Sequence, residues 1–384
     1  MIRVGKIIPG GFGLATAESG KKLFLWNALP GEEISEYNVI KRKSHYEEAI
    51  AVKVANPSPH RISPRDDCYL STSPFQIMDY GYELSLKRDL VVEIFREHGI
   101  SIAAPEVVTD GCDYFYRNKM EYSLYYDHDL GRILPSFHAR GSHRKIPIVK
   151  SSIERPEIFA AATRIIDDLN ARGEDAREYQ SLLLRCDQNG EVSGGLYENG
   201  KPHPTFPELT DTILGRTYSY SPNGFFQINL PVYEMALEEM KKHVNTSKVL
   251  DLYSGVGTIG LSIARDHKLT LVEVDKFAFG EMVKNIGTKS GNILAIHTKS
   301  ENATDYISPD TTVILDPPRA GCDSKLVNKL LEVTPPTIIY LSCNPATQAR
   351  DIKILLAKYH IASVKTFNFF PRTPHIENLI ILNL

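Results

Sequence analysis

The 384-residue sequence predicts a multidomain α/β chain: an N-terminal OB-type β-barrel over 1–61, a central α+β domain over 62–206, and over 207–384 a doubly wound parallel sheet ending in an antiparallel hairpin. Three observations carry that prediction. Short β-prone runs broken by Gly and Pro fill the first stretch, helix-period and strand-period segments mix in the second, and the third repeats apolar strand-like runs at helix-length intervals. The chain is also too long for one ordinary core.

In the first stretch the strand candidates are VGKII, KLFLW, EYNVIKRK and YEEAIAVKVA, separated by PGGFG and ALPGEE and closed by the rigid PSPHRISP. Five-stranded barrels of this kind bind single-stranded nucleic acid on a strand face, or serve as spacers and protein docks. A net charge of +2 over residues 1–60 decides between neither.

The middle stretch opens with a helix near Tyr80 to His98, whose Leu84, Leu86, Leu90, Val91, Ile94 and Phe95 fall mainly on one face and are expected to be core. Strand-like YFYRNKMEYSLYYDHD and GRILPSFHARGSHRKIPIVK follow, then the helix ERPEIFAAATRIIDDLNARG and further strands. Between Arg117 and Lys150, seven basic residues (Arg117, Lys119, Arg132, Arg140, Arg144, Lys145, Lys150) stand against three acidic ones among many Tyr and His. Cations that hold phosphates beside rings that stack bases make this the expected RNA surface. A solvated sheet face over buried tyrosines explains the same composition.

In the third stretch KVLDLY, LTLVEVD, NILAIHT, TVILDPP and TIIYLSC read as parallel strands. SVKTFNFF and NLIILNL are joined only by PRTPHIE, too short for a crossover, so they pair antiparallel.

Whole-chain composition removes several classes. A net charge of −3 excludes a strongly basic nucleic-acid coat and a polybasic membrane binder. MIRVGKIIPGGFG lacks an apolar signal core and no run of 18 apolar residues occurs, so a cytoplasmic location without a membrane is expected. Five scattered cysteines without a CxxC pair argue against a disulfide framework and a zinc site, and no metal is expected.

Four motifs carry chemistry. Asp251-Leu-Tyr253-Ser-Gly255-Val-Gly257-Thr258 lies between a strand and a helix, and Glu273 ends the next strand, where a carboxylate can accept ribose hydroxyls of a nucleoside cofactor. Gly255, Gly257 and Gly260 also satisfy GxGxxG by count, which keeps an NAD oxidoreductase as a rival. Asp316-Pro-Pro-Arg319-Ala-Gly321 puts a carboxylate at the ligand-binding edge of the sheet, and Arg319 stands where amino-group methyltransferases carry a stacking aromatic. Leu341-Ser-Cys343-Asn344-Pro345 sets a thiol on the same edge. Cysteine there is either a small buried hydrophobe or a nucleophile able to add to carbon 6 of a pyrimidine, which makes carbon 5 nucleophilic. Phe370-Pro-Arg372-Thr-Pro-His375-Ile-Glu377 offers Glu377 as the base that removes the carbon 5 proton, with His375 structural or RNA-contacting. Phe225 and Gln227, in Ser221-Pro-Asn-Gly-Phe-Phe-Gln-Ile-Asn229, place an aromatic and an amide near the cofactor mouth.

Together LDLYSGVGTIGL, ILDPPRAG, YLSCNPATQARD, GFFQIN and FPRTPHIENLIIL resemble the RNA uracil-5-methyltransferase family, and GGFGLA, ALPGE and PSPHRISP resemble its TRAM domain, an OB-type RNA-binding barrel. The resemblance implies a Rossmann-like domain using S-adenosylmethionine (SAM) to make 5-methyluridine in tRNA or 23S rRNA. It implies Cys343 as nucleophile and Glu377 as base. Gln227, Tyr253, Gly255, Gly257, Thr258, Glu273 and Asp316 would surround the cofactor, with Phe225, Gln227, Asp316 and Arg319 towards the RNA. At Thr258 many members have Asn. Many TRAM-bearing members also hold an iron-sulfur cluster; here Leu70, Ser73 and Ser152 stand near the thiolate positions, and Cys68 alone cannot hold one, so no cluster is expected. A monomer is expected. A non-catalytic RNA-binding or assembly protein on the same scaffold is the alternative, opposed by the retention of Cys343 and Glu377.

Overall fold

The computed structural model describes residues 1–198, 200–203, 206–288 and 291–384. The chain forms two compact units that interleave in sequence. The first comprises Met1–Leu90, Cys112–Phe206 and Phe370–His375; the second comprises Val91–Gly111, Pro207–Phe369 and Ile376–Leu384.

The first unit begins with a sheet of six strands, one more than the barrel expected from sequence: β1 (Ile2–Arg3), β2 (Lys6–Ile8), β3 (Phe12–Thr16), β4 (Lys22–Trp26), β5 (Glu33–Arg42) and β6 (Tyr46–Asn56). Their order is β1-β5-β6-β4-β3-β2, with β4 and β6 parallel and the other neighbours antiparallel. Period-two burial builds its core from Ala15, Leu23, Leu25, Ile34, Ala49 and Ala51. A short helix α1 (Tyr69–Thr72) precedes α2 (Tyr80–Glu97). Leu90, Val91, Ile94 and Phe95 of α2 are buried as expected, but Leu84 and Leu86 are only half-buried. In that half of the helix the buried positions are Glu83 and Lys87, an ion pair four residues apart at 2.9 Å.

After β7 (Glu106–Val108), which belongs to the second unit, the first unit continues with β8 (Lys119–Asp127), β9 (Arg132–His138), β10 (Lys145–Pro147), helix α3 (Pro156–Arg172), β11 (Ser181–Cys186), β12 (Val192–Glu198) and β13 (Lys201–His203). The strands form an antiparallel sheet in the order β10-β9-β8-β11-β12-β13. Tyr122, Leu124, Ile133, Phe137, Leu182 and Leu184 meet Ile158, Ala162, Ile166 and Leu169 of α3 in one core. Pro156 opens that helix and Gly173 closes it in the left-handed region, at φ 68°.

Much of the basic charge between Arg117 and Lys150 makes hydrogen bonds or ion pairs within this unit. Arg140 is half-buried, stacks 3.9 Å from the Trp26 ring and donates to the Leu70 carbonyl. Lys145 donates to the Leu124 carbonyl at 2.7 Å, Arg117 to that of Lys119 at 2.8 Å, and Arg132 pairs with Asp167. Arg144 and Lys150 remain on the surface.

The second unit contains the hairpin β14 (Leu209–Ile213) and β15 (Arg216–Tyr220), then α4 (Leu230–Lys241), β16 (Lys248–Leu252), α5 (Thr258–Ile263), β17 (Lys268–Glu273), α6 (Lys276–Ile286), β18 (Ile293–His297), β19 (Thr311–Leu315), α7 (Ser324–Val333), β20 (Thr337–Ser342), α8 (Pro345–Leu355), β21 (His360–Phe367) and β22 (Glu377–Asn383). Its main sheet runs β18-β17-β16-β19-β20-β22-β21-β7. The first five strands are parallel and β22 is antiparallel to both neighbours, as expected. Every residue of β19 and β20 is buried, as suits central strands of a parallel sheet. The added strand β7 lies parallel to β21 at the far edge. No helix of the described residues is long and apolar enough to cross a membrane.

Candidate active site

Strand register assembles the chemistry at one end of the sheet of the second unit. Ser342, the last residue of β20, pairs with Asn378 on β22, so the next residues on each side, Cys343 and Glu377, face each other across the strand ends. Leu315 pairs with Tyr340 on the other flank, which brings Asp316 to the same end.

The electrostatics of these three groups are linked. Burial first, then the neighbouring Glu377 and Asp316 carboxylates, push the Cys343 thiol up to about 11, while the Arg319 cation opposes the rise. Glu377 is buried, and that burial, reinforced by Asp316 and opposed by Arg319, lifts its carboxyl well above the usual carboxylate range. Burial lifts Asp316 to about 7. Burial and mutual repulsion thus favour the neutral forms of the thiol and of the Glu377 carboxyl, because isolated negative charge is costly there.

Side chains that sequence reasoning left out fix this geometry. Gln348 on α8 donates to the Tyr340 carbonyl of β20 at 2.9 Å and to the Asn378 carbonyl of β22 at 3.0 Å, and accepts from the Asn378 amide at 2.8 Å. Thr366 on β21 donates to the same Asn378 at 3.0 Å. One buried amide pair thus ties the strand carrying Cys343 to the strand carrying Glu377. Asn344 caps α8 by accepting from the Ala346 N–H at 3.2 Å and donates to the Arg319 carbonyl at 2.8 Å, which ties the Cys343 loop to the Arg319 loop. The SCNPATQ run contains the signal, a Pro at the first position of a helix preceded by a capping Asn. The amide partner on β22 shows only in three dimensions.

The Asp251 to Thr258 loop is anchored to β17. The Ser254 N–H donates to the Val272 carbonyl at 2.9 Å and the Ser254 hydroxyl accepts from the Val272 N–H at 2.9 Å. That brings Glu273 to Gly255, whose N–H donates to the carboxylate at 2.8 Å; the other oxygen accepts from Asp275 N–H at 2.6 Å. Tyr253 holds a left-handed backbone (φ 65°), an uncommon state for a tyrosine and typical of ligand-binding turns. A Cβ on Gly260 would lie 2.5 Å from Leu271 and 2.8 Å from the Asp251 carboxylate, so only glycine lets α5 pack this close to the strands. Asp251 is fully buried: one oxygen accepts from the Gly260 N–H at 2.9 Å, the other has no hydrogen-bond partner among the described residues, and burial raises the carboxyl to about 8. Thr258 is buried at the start of α5. In the segment before α4, Phe226 is buried and stacks 3.9 Å from Tyr220, Gln227 is half-buried, and Phe225 is 75% exposed.

His375 lies in the loop assigned to the first unit. Among the described residues no group of three or more His, Cys, Asp or Glu is placed to hold a metal ion. Where the resemblance puts cluster ligands, the first unit has a hydrogen-bond network instead. Ser152 donates to Asp66 at 2.6 Å, and the Gln76 amide donates to Asp66 at 2.9 Å and to Ser73 at 2.7 Å. Residues committed in this way do not fit an iron-sulfur cluster, which needs about four thiolates.

Residues 210–384 match the tRNA (uracil-5-)-methyltransferase family. The chain is 28% identical to an uncharacterized RNA methyltransferase of Prochlorococcus marinus, over 92% of this chain and 99% of the other. It is 29% identical to one of Enterococcus faecalis, over 94% and 92%. Among solved structures it resembles the Pyrococcus abyssi tRNA (uracil-54, C5)-methyltransferase in complex with S-adenosyl-L-homocysteine, with a TM-score of 0.77 over all of both chains at 23% identity, a likeness of fold. The match to the tRNA (uracil-5-)-methyltransferase family thus covers residues 210–384, the part of the chain that carries Asp316, Cys343 and Glu377.

Proposed function

We propose that this protein methylates carbon 5 of a uridine in RNA, using SAM and a covalent Cys343 adduct. The observation that carries the reading is the register that sets Cys343 opposite Glu377 beside Asp316. SAM supplies a methyl group made electrophilic by a sulfonium. Glu273 suits the ribose hydroxyls, and Gln227, Tyr253, Gly255, Gly257, Thr258 and Asp316 suit the rest of that molecule. Phe225, exposed before α4, and Arg319 suit the RNA.

Uridine carbon 5 is a poor nucleophile until a thiolate adds to carbon 6. Cys343, once its proton has passed to water, forms the sulfur–carbon bond, and the electron pair of the carbon 5–carbon 6 double bond moves onto carbon 5 and its carbonyl. Carbon 5 would then take the methyl as the methyl–sulfonium bond breaks with its electron pair left on the cofactor sulfur, giving a neutral adduct that still bears its hydrogen. Glu377, deprotonated at that stage, removes this proton; the freed pair restores the double bond and the sulfur–carbon bond breaks, returning Cys343 as thiolate. Such chemistry needs the uridine unstacked.

We further propose the functional division 1–61, 62–206 and 207–384, with the first a TRAM-type barrel serving RNA binding, and a monomer acting in the cytoplasm. The names of the matched family and of the solved relative favour tRNA over 23S rRNA as substrate.

The test uses tritiated SAM and cellular RNA. Cys343→Ala should abolish labelled 5-methyluridine and Glu377→Gln should trap a protein–RNA adduct on denaturing gels; an active Cys343→Ala sinks the mechanism. Mapping 5-methyluridine in RNA from cells lacking the protein identifies the substrate.

A further inference from the structure

The loop from Phe370 to His375 is held with unusual completeness by distant parts of the first unit. The Phe370 carbonyl accepts from the buried Lys87 ammonium at 3.0 Å, and the Pro371 carbonyl accepts from the Tyr116 hydroxyl at 2.9 Å. The Arg372 N–H donates to both oxygens of Glu83, at 2.9 and 3.1 Å, and its carbonyl accepts from the Phe75 N–H at 3.0 Å. The Arg372 guanidinium, only 4% exposed, donates to the Met78 carbonyl at 2.7 Å and to Asp113, and stacks over Tyr80 and Tyr114. Two carboxylates and two cations, Glu83 and Asp113 with Lys87 and Arg372, thus surround a single loop. On its other side Pro374 meets Gly11 of the β2–β3 turn, where a Cβ would fall 2.6 Å from the proline.

Such an arrangement is expensive. Buried charges cost several kcal/mol before pairing, and replacing them with apolar residues is often neutral or stabilising. Arg372 also holds a left-handed backbone (φ 63°), which glycine would adopt without strain. Strained conformers over-determined by their surroundings gather where geometry serves function. Ile376 alone separates this loop from Glu377.

We propose that Glu83, Lys87, Asp113, Tyr116 and Arg372 form a positioning clamp that sets where the loop delivers Glu377, and so governs removal of the carbon 5 proton separately from methyl transfer. The clamp rests on the covalent reading above. None of its members touches the reacting atoms, so each acts through the loop. Its signature is a split between the two half-reactions: carbon 5 receives its methyl through Cys343 and the cofactor, whereas elimination needs the carboxylate of Glu377 within reach of one hydrogen.

The experiment uses the full chain, RNA carrying 5-tritiated uridine and SAM with a carbon-14 methyl, under single-turnover conditions. Carbon-14 in RNA reports methyl transfer; tritium in water reports proton removal. Tyr116→Phe deletes one hydroxyl and keeps the ring. It should slow tritium release about fivefold, the worth of one hydrogen bond, with methyl transfer unchanged and the adduct visible on denaturing gels. Arg372→Lys cannot reproduce the planar fork and should slow tritium release by about 10- to 100-fold, as loss of alignment does. Should Arg372→Lys lower the melting temperature sharply, Tyr116→Phe decides alone. Tritium release that tracks methyl transfer in Tyr116→Phe, whether both fall or both hold, overturns the clamp. Methyl transfer by Cys343→Ala would instead remove the covalent reading beneath it, so the two failures are distinguishable.

Discussion

Arg319 lies on the surface, yet its charge opposes the upward push on two groups that are not there, the Cys343 thiol and the Glu377 carboxyl. A thiol at about 11 is a small fraction thiolate at neutral pH, and that fraction grows about tenfold per pH unit. Alkylation of Cys343 by iodoacetamide, followed by mass spectrometry, should therefore accelerate about tenfold per unit between pH 7 and 9. Arg319→Ala removes a cation that favours the thiolate, so alkylation at a given pH should slow by roughly threefold. An equal or faster rate in the variant would contradict the electrostatic assignment. The sequence exposes these residues because each follows an apolar strand run: TVIL before Asp316, TIIYLS before Cys343. Glu83 and Lys87 were hidden for the opposite reason. Charges four residues apart on a helix read as a solvated face, and only the arrival of residues 370–375 makes that face interior.

At the scale of elements, the pairing of β20 with β22 depends on the Gln348–Asn378 amide pair as well as on the ladder between the strands. Gln348→Leu would strand polar groups of Asn378 and Tyr340 in a dry interior, at about 1–3 kcal/mol per unsatisfied group. Urea denaturation should show a loss of that order for Gln348→Leu alone. The double variant with Asn378→Leu should lose less than the sum of the singles, since both ends of one interaction are gone. A strictly additive pair would mean that the amides do not act together. The parallel strands were legible because sheets covered on both faces demand continuous apolar runs. β7 was not, because Glu-Val-Val is too short to signal a strand and finds its place only beside β21. In the Arg117 to Lys150 segment, composition counts cations but does not show that Lys145, Arg117 and Arg140 donate to the Leu124, Lys119 and Leu70 carbonyls.

For the molecule as a whole, the second unit holds several carboxyls whose neutral form is favoured by burial. Asp251 is lifted to about 8, Asp316 to about 7 and Glu377 well above the ordinary range, all chiefly by burial. Unfolded carboxyls titrate near ~4, so the folded protein holds more protons between that value and about 8. Stability from these groups is fully present below the unfolded value and is lost as pH rises through the folded ones. The urea midpoint should therefore fall from pH 5 to pH 8, and Asp251→Asn, which cannot ionise, should flatten part of that decline. A midpoint that rises across this range would overturn the assignment.

The strand at residues 106–108 bears on how this protein can be cut. The stretch that matches the family begins at 210, and it looks self-sufficient on the page. Excised there, β21 would lose the neighbour that pairs with Lys365 to Phe367 and leave the Asn368 N–H without the Val108 carbonyl. An unpaired edge of that kind invites pairing between copies. A fragment meant to keep this sheet paired must therefore carry residues 91–111 as well, joined by a linker in place of the 112–206 insertion, and on the ribosome this sheet cannot acquire its last strands until almost the whole chain has emerged.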